Sequence, residues 1–386
     1  MDAGPSNYTL ALLTDTHYWH DTPTRHLFAS RTGRLPERDG LLVHRSPQII
    51  ASVLQSLAGF ASSGGTAAIH IGDAGCGGGG FDQPAIEHAA SLQTYRAMES
   101  SALARHDFRV HHIPGNHDLS PSQDGGLGAW YEHLGPSQRV SATTSAMGAI
   151  VQPRAYRSLH LGTRWKVLLL DSTDGVQTDR DGHGHIGRVQ LSWLEAELHS
   201  AERQRQHVIM CMHQLLIDPS GADTAEERRT RYALRSKRRA NSIALDPTAD
   251  MHGGGPSWIG EGDMVDNRAS VLEVLSRYAS VVRLSLHGHV HANTRVVWRG
   301  IDFLSLASTT EYPMEWFELR LSDCTAHLLP RPVEGVDEWR DESLQRETRP
   351  RRNDIKRGGD WLRAATHNRS SGMVEDDDGL LIEFCS

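Results

Sequence analysis

The chain has 386 residues, a formal net charge of −8 and 38% apolar residues. That composition suits a folded core. It lacks the run of ~20 apolar residues that a membrane span needs, and it argues against general nucleic-acid affinity, which rests on basic surface. Cys76, Cys211, Cys324 and Cys385 are scattered without a CxxC pair, and Met1 to Thr9 lacks a basic start followed by an apolar stretch, so free thiols in a cytoplasmic protein are expected.

Short β-rich runs alternate with amphipathic stretches in the first three quarters of the chain. Strands are predicted at Tyr8–Thr14, Ala67–Ile71, Phe108–Ile113, Trp165–Leu170, His207–Met212 and Val281–Leu286. Helices are predicted at Pro47–Phe60, Pro84–Ala104, Arg188–Arg203 and Arg268–Ala279. In the first helix Ile49, Ile50, Val53, Leu54 and Leu57 recur at helical spacing, which gives one apolar face to lay on a sheet. Such alternation predicts a layered α/β fold. Past His291 the pattern turns to strands alone, at Thr294–Trp298, Ile301–Leu306, Trp316–Leu321 and Ala326–Leu329, and a β-meander closing a second sheet is expected. The domain reading is a catalytic domain over 1–330, with an insertion at 218–266, and a charged arm or tail over 331–386. The insertion carries a basic helical piece, Glu226–Arg239. It is a candidate lid, and its Arg228 a candidate substrate contact.

Five polar signatures each follow a predicted strand: Asp15-Thr16-His17, Gly72-Asp73, Gly115-Asn116-His117-Asp118, His213 and Gly288-His289-Val290-His291. Ligand sites in α/β sheets lie outside the carboxyl ends of strands, so these five segments are expected to converge. Together they offer hard oxygens and imidazoles, the donors that divalent cations take. Asp15 and His17 are two residues apart and can bind one cation together. Asp73 can touch both ions of a pair, Asn116 offers a neutral carbonyl oxygen, and His289 and His291 can serve one ion each. His117 is the candidate general acid for the departing alcohol. Asp118 either orients the His117 imidazole or caps the turn that follows.

At these residues the chain resembles the calcineurin-like metallophosphoesterase superfamily, whose pattern runs D-x-H, G-D, G-N-H-[DE], H, G-H-x-H, and the match extends from Asp15 to His291. The resemblance implies a four-layer α/β/β/α sandwich of two mixed sheets flanked by helices. It also implies a hydroxide-bridged metal pair, manganese or iron first, with zinc, magnesium, nickel or cobalt as alternatives. Carried over, one ion takes Asp15, His17, Asp73 and His291; the other takes Asp73, Asn116, His213 and His289, with His117 as acid. Purple acid phosphatases have glycine in place of His17 and a metal-binding tyrosine in place of Cys76, so a coloured iron–tyrosinate site is not expected. The pattern is more similar to bacterial class III cyclic-nucleotide phosphodiesterases, and the Gln190-Leu-Ser-Trp193-Leu194 helix start is also common in that group.

Other polar clusters have plainer readings. Asp181-Gly-His183-Gly-His185 reads as a solvated loop, and His111 and His112 as sheet residues. Gly75–Gly80 lacks the Lys-Ser/Thr of a P-loop. Trp19, His20 and Asp21 follow the first motif and are candidates for lining the pocket, His20 as a substrate contact. The expected function is a two-metal phosphoesterase acting on a small phosphorylated substrate, first a phosphodiester or nucleotide, alternatively a phosphomonoester. A DNA nuclease and a non-catalytic binding scaffold are the rivals.

Overall fold

The computed structural model describes residues 7–22, 41–77, 83–119, 127–136, 154–174, 183–218, 263–346, 375–376 and 379–384. Arg228, the Glu226–Arg239 piece and the candidate lid lie outside them. One sheet is formed by β1 (Tyr8–Leu13), β2 (Ala67–Ile71), β3 (Val110–Ile113), β10 (Glu315–Leu321), β11 (Thr325–Pro332), β12 (Glu375–Asp376) and β13 (Gly379–Glu383), in the order β12-β13-β11-β10-β1-β2-β3. The other holds β4 (Arg157–Leu161), β5 (Trp165–Leu169), β6 (His207–Cys211), β7 (Val282–His287), β8 (Thr294–Trp298) and β9 (Ile301–Ser305), in the order β4-β5-β6-β7-β9-β8. The helices are α1 (Ser46–Ser62), α2 (Ala85–Leu103), α3 (Gly128–His133), α4 (Arg188–Arg203), α5 (Arg268–Arg277) and α6 (Asp337–Arg346).

The period-2 alternation of strand side chains builds the layers. Leu10 and Leu12 of β1 point between the sheets, where they join Ile69, Ile71, Val167, Leu169, Ile209 and Leu284. Ala11 and Leu13 point the other way and pack under Ile49, Val53 and Leu57 of α1 and Leu92 and Tyr95 of α2. The second sheet repeats the scheme, with Leu168, Val208 and Met210 covered by Leu194 and Leu198 of α4 and Val271 and Leu275 of α5. The result is an α/β/β/α sandwich of two mixed sheets, as expected. Burying one Leu or Ile in such a core stabilises it by roughly 1.5–3 kcal/mol.

Two expectations are corrected. The late strands do not form one meander: β9 pairs with β7 in parallel and β8 with β9, whereas β10 crosses to the first sheet and pairs antiparallel with β1. Phe317, Leu319 and Leu321 of β10 face the space between the sheets, and their apolar pattern alone cannot say which sheet supplies the hydrogen bonds. Beyond residue 330, β13 pairs with β11 and places Leu380 and Ile382 in the core between the sheets. The free-thiol reading also fails for Cys324, which is disulfide-bonded, while Cys76 and Cys211 are buried outside any disulfide. The return of β13 brings the end of the chain onto that turn, where Phe384 N donates to Cys324 O at 2.8 Å. A disulfide removes the cysteine argument for a reducing compartment. Among the described residues no helix is long and apolar enough to cross a membrane.

Candidate metal centre

β1, β2 and β3 run parallel in one sheet, and β5, β6, β7 and β9 in the other. Five loops therefore leave the carboxyl ends of strands β1, β2, β3, β6 and β7 on one side of the sandwich, and each carries one of the polar signatures. Asp15, His17, Asp73, His289 and His291 all adopt left-handed backbone, with φ between 42° and 71°. Side chains with a Cβ rarely take that conformation, and such strain gathers where a site dictates geometry. Glycines beside these residues make the close approach feasible. A Cβ on Gly288 would run into Thr14 Oγ1 and come within 2.7 Å of Asp15 Oδ2, and one on Gly115 would run into Asp73 Oδ1.

Three groups of donor atoms lie within 4.8 Å of one another: Asp15 with His17 and His291; His17 with Asp73 and His117; Asp73 with His213 and His289. Each group could hold a cation, and each combines two buried residues with a half-buried one, His291, His117 or His289. The cluster thus has a sealed floor and a rim open to solvent. His291 Nε2 is 3.2 Å from Asp15 Oδ1 and 3.0 Å from His17 Nε2. His213 Nε2 is 3.0 Å from Asp73 Oδ2, a charge contact rather than an aligned hydrogen bond, since neither atom has a hydrogen-bond partner. Asn116 Oδ1 and His289 Nε2 are likewise buried without one. Buried polar atoms are nearly always hydrogen-bonded, so three unsatisfied residues in one donor group, Asp73, His213 and His289, fit the needs of a cation.

Nearby groups aim the donors. His213 Nδ1 donates to Ile71 O at 2.8 Å and His117 Nδ1 to Gly77 O at 3.0 Å, which leaves both Nε2 atoms toward the cleft. The His289 backbone N–H donates to Asp15 Oδ2 at 3.0 Å, Thr14 Oγ1 donates to the same oxygen at 2.7 Å, and His117 N donates to Asp73 Oδ1 at 2.7 Å. Burial alone would push Asp15 up, but His291 and His213 bring it down to about 2. Burial likewise opposes charge on His213, yet Asp73 and Asp15 beside it raise it to about 10; Asp15 and Glu311 help raise His291 to about 9. His17 falls to about 3, through burial and then the charge of His291, and burial also lowers His117.

Asp118 does not touch the His117 imidazole nitrogen that Gly77 occupies. Its two oxygens accept from Gly75 N and Gly115 N, both at 2.9 Å, tying the loops after β2 and β3 together. Burial, and then the charge of Asp73, push it up to about 7. His20 is anchored on α2, its Nδ1 2.8 Å from Ser91 Oγ. Trp19 is fully buried with Leu41, Val43 and Cys76, its indole donating to Glu87 Oε2. The loop of His183 and His185 is stitched to the return of the insertion, by His183 Nδ1 near Asp266 at 3.1 Å and by Gly184 N on Met264 O. Gln190 grips the backbone of Asp171 from both sides, at 2.8 Å each, so that helix start braces the end of β5. Two carboxylates escaped the sequence reading: Glu311, 2.7 Å from His291 Nδ1, and Asp263, 3.5 Å from His289 Nε2. Neither sits in a recognisable motif, and only the packing of distant loops brings them here.

No family model and no curated protein matches the sequence. Solved structures do resemble the fold. A dimetal phosphatase from Danio rerio superposes with a TM-score of 0.53 at 15% identity, over 85% of this chain and 97% of that one. A purple acid phosphatase from yellow lupin reaches 0.48 at 12% identity, over 86% of this chain and 52% of the lupin chain. The fold likeness rests on the Danio rerio structure, and the five loops that carry the superfamily's signatures emerge together on one side of the same two-sheet sandwich. The chain has the fold of the calcineurin-like metallophosphoesterases.

Proposed function

We propose that the protein is a two-metal phosphoric ester hydrolase. Asp15, His17, Asp73 and His291 hold one divalent cation, and Asp73, Asn116, His213 and His289 hold the other. The observation that carries this reading is that Asp73, His213 and His289, which form one donor group, each bury a side-chain atom without a hydrogen bond, Oδ2, Nε2 and Nε2. When bound, two such ions supply positive charge for the phosphoryl oxygens and an activated water at neutral pH. Manganese or iron suits the mixture of carboxylate, amide and imidazole donors.

The chain's own residues do the rest. Asp73 belongs to one donor group with His17 and His117 and to another with His213 and His289, so it is the carboxylate that would serve both ions. The His117 ring, held by Gly77 O and 5.1 Å between centroids from the His17 ring, presents Nε2 at the half-buried rim. Once the ring has taken up a second proton at Nε2, its Nδ1–H staying on Gly77 O, it would give that proton to the departing alkoxide, an effect typically worth about 10²–10⁴-fold. Asp118 acts through the loops and not on the proton. The substrate is a small phosphorylated molecule, with a phosphodiester or nucleotide as first choice and a phosphomonoester as second.

The test is hydrolysis of p-nitrophenyl phosphate, bis-p-nitrophenyl phosphate, cyclic nucleotides and dinucleotides by protein loaded with Mn²⁺, alongside the metal content of the same sample. Metal-dependent turnover of the diesters above the monoester supports the reading and its first substrate choice. Bound metal without turnover of any ester overturns it in favour of a binding scaffold, and release of oligonucleotides from DNA in favour of a nuclease.

A further inference from the structure

Behind the His291 imidazole stands a carboxylate that no motif announces. Glu311 Oε2 lies 2.7 Å from His291 Nδ1, and its side chain is 1% exposed. An ionised carboxylate only accepts, so Nδ1 keeps its proton, and Nε2 is the nitrogen that gives up a proton and offers a lone pair when a cation binds. The other imidazoles set this way, His213 and His117, lean on the neutral carbonyls of Ile71 and Gly77. His291 is the one of the three backed by an anion.

Glu311 is held there by a segment strapped across the first motif. Ser308 Oγ and Thr310 Oγ1 donate to Asp15 O at 2.8 and 3.1 Å, and Thr309 N donates to Thr14 O at 3.1 Å. A buried carboxylate is costly unless paired, and here its partner is a donor ring of the centre. An anion behind a ligating imidazole fixes the ring and strengthens its donation toward a cation, and loss of such a partner typically weakens metal binding about 10–100-fold. Charge is therefore unequal across the centre. The side of His291 has Asp15 and Glu311 in addition to the shared Asp73. The side of His289 has the neutral Asn116 and, 3.5 Å from His289 Nε2, Asp263, whose side chain is 31% exposed and screened by water.

We propose that Glu311 is a positioning residue that makes the Asp15–His17–His291 group the tighter cation site, the one that fills first. This rests on the two-cation reading above.

The experiment is a titration of the metal-free full-length protein with Co²⁺, followed by calorimetry and by visible absorption. Wild type is expected to take up two equivalents, the first tighter. Glu311→Gln keeps an acceptor oxygen but removes the charge. It should weaken the first equivalent by about 10–100-fold, change the absorption of that equivalent, and affect the second less. In a His291→Ala background the same change should do nothing further. A first equivalent as tight in Glu311→Gln as in wild type overturns the proposal, as does an equal loss in the His291→Ala background. A readout that needs no variant is the nitrogen chemical shifts of His291 in the loaded wild type: a protonated Nδ1 is expected, and an unprotonated one overturns the proposal. A wild type that takes up no Co²⁺ would instead overturn the two-cation reading itself.

Discussion

His213 Nε2 and Asp73 Oδ2 stand 3.0 Å apart although their loops leave different sheets, one after β6 and the other after β2. The contact spans the seam of the sandwich, so the centre depends on the two sheets being docked in one register. Substitutions at the seam should therefore read out in both stability and metal content.

Asp73 offers a donor to two groups at once. Asp73→Ala is expected to empty both cation sites together and to lower kcat by more than the ~100-fold upper range for losing a mere supporting partner. Metal per chain by mass spectrometry, measured beside turnover, checks this. Retention of one full equivalent would show that Asp73 does not bridge.

His117 is expected to matter in proportion to the leaving group's need for a proton. His117→Ala should retain both metals and lower kcat by about 10²–10⁴-fold on an alkyl ester. On a p-nitrophenyl ester, whose leaving group departs as the anion, the loss should be much smaller. Equal losses on the two esters would remove the acid role.

Asp118→Ala tests the brace. It strips partners from Gly75 N and Gly115 N, two backbone donors beside the cluster. Leaving a buried donor unsatisfied costs about 1–3 kcal/mol, so chemical denaturation of the metal-free variant should show a loss of that order. The leaving-group dependence assigned to His117 should persist. Its disappearance would mean that Asp118 acts on the imidazole after all.

In the metal-free protein His213, raised to about 10, and His291, raised to about 9, both carry protons at neutral pH. Metal ligation needs neutral imidazoles, so loading at pH 7.5 should release about two protons and affinity should rise with pH. Calorimetry in buffers of different ionisation enthalpy measures the release. The same shifts govern metal-free stability. A histidine raised above 6.5 contributes fully below pH 6.5 and loses that contribution as pH climbs through 9 to 10. Asp15, lowered from 3.8 to about 2, contributes above 3.8 and loses its contribution as pH falls through 2. Thermal unfolding across this range should show a fall on the alkaline side that bound metal removes.

Much of this was legible in the chain before folding. The alternation of Leu10, Ala11, Leu12 and Leu13 and the helical spacing of Ile49, Val53 and Leu57 are local signals, and they gave the layers. The polar residues that cluster were legible too, because each sits within two to four residues of a strand end that periodicity already marks. Those features depend on short stretches of backbone whose preferences a sequence carries directly. What only the tertiary structure decided depends on segments far apart in the chain: the pairing of β10 with β1, the return of β13 beside Cys324, the use of Asp118 as a brace, and the placing of Glu311 behind His291. No local preference encodes those contacts, because an apolar strand fits either sheet and a lone carboxylate reads as surface until packing buries it against its partner.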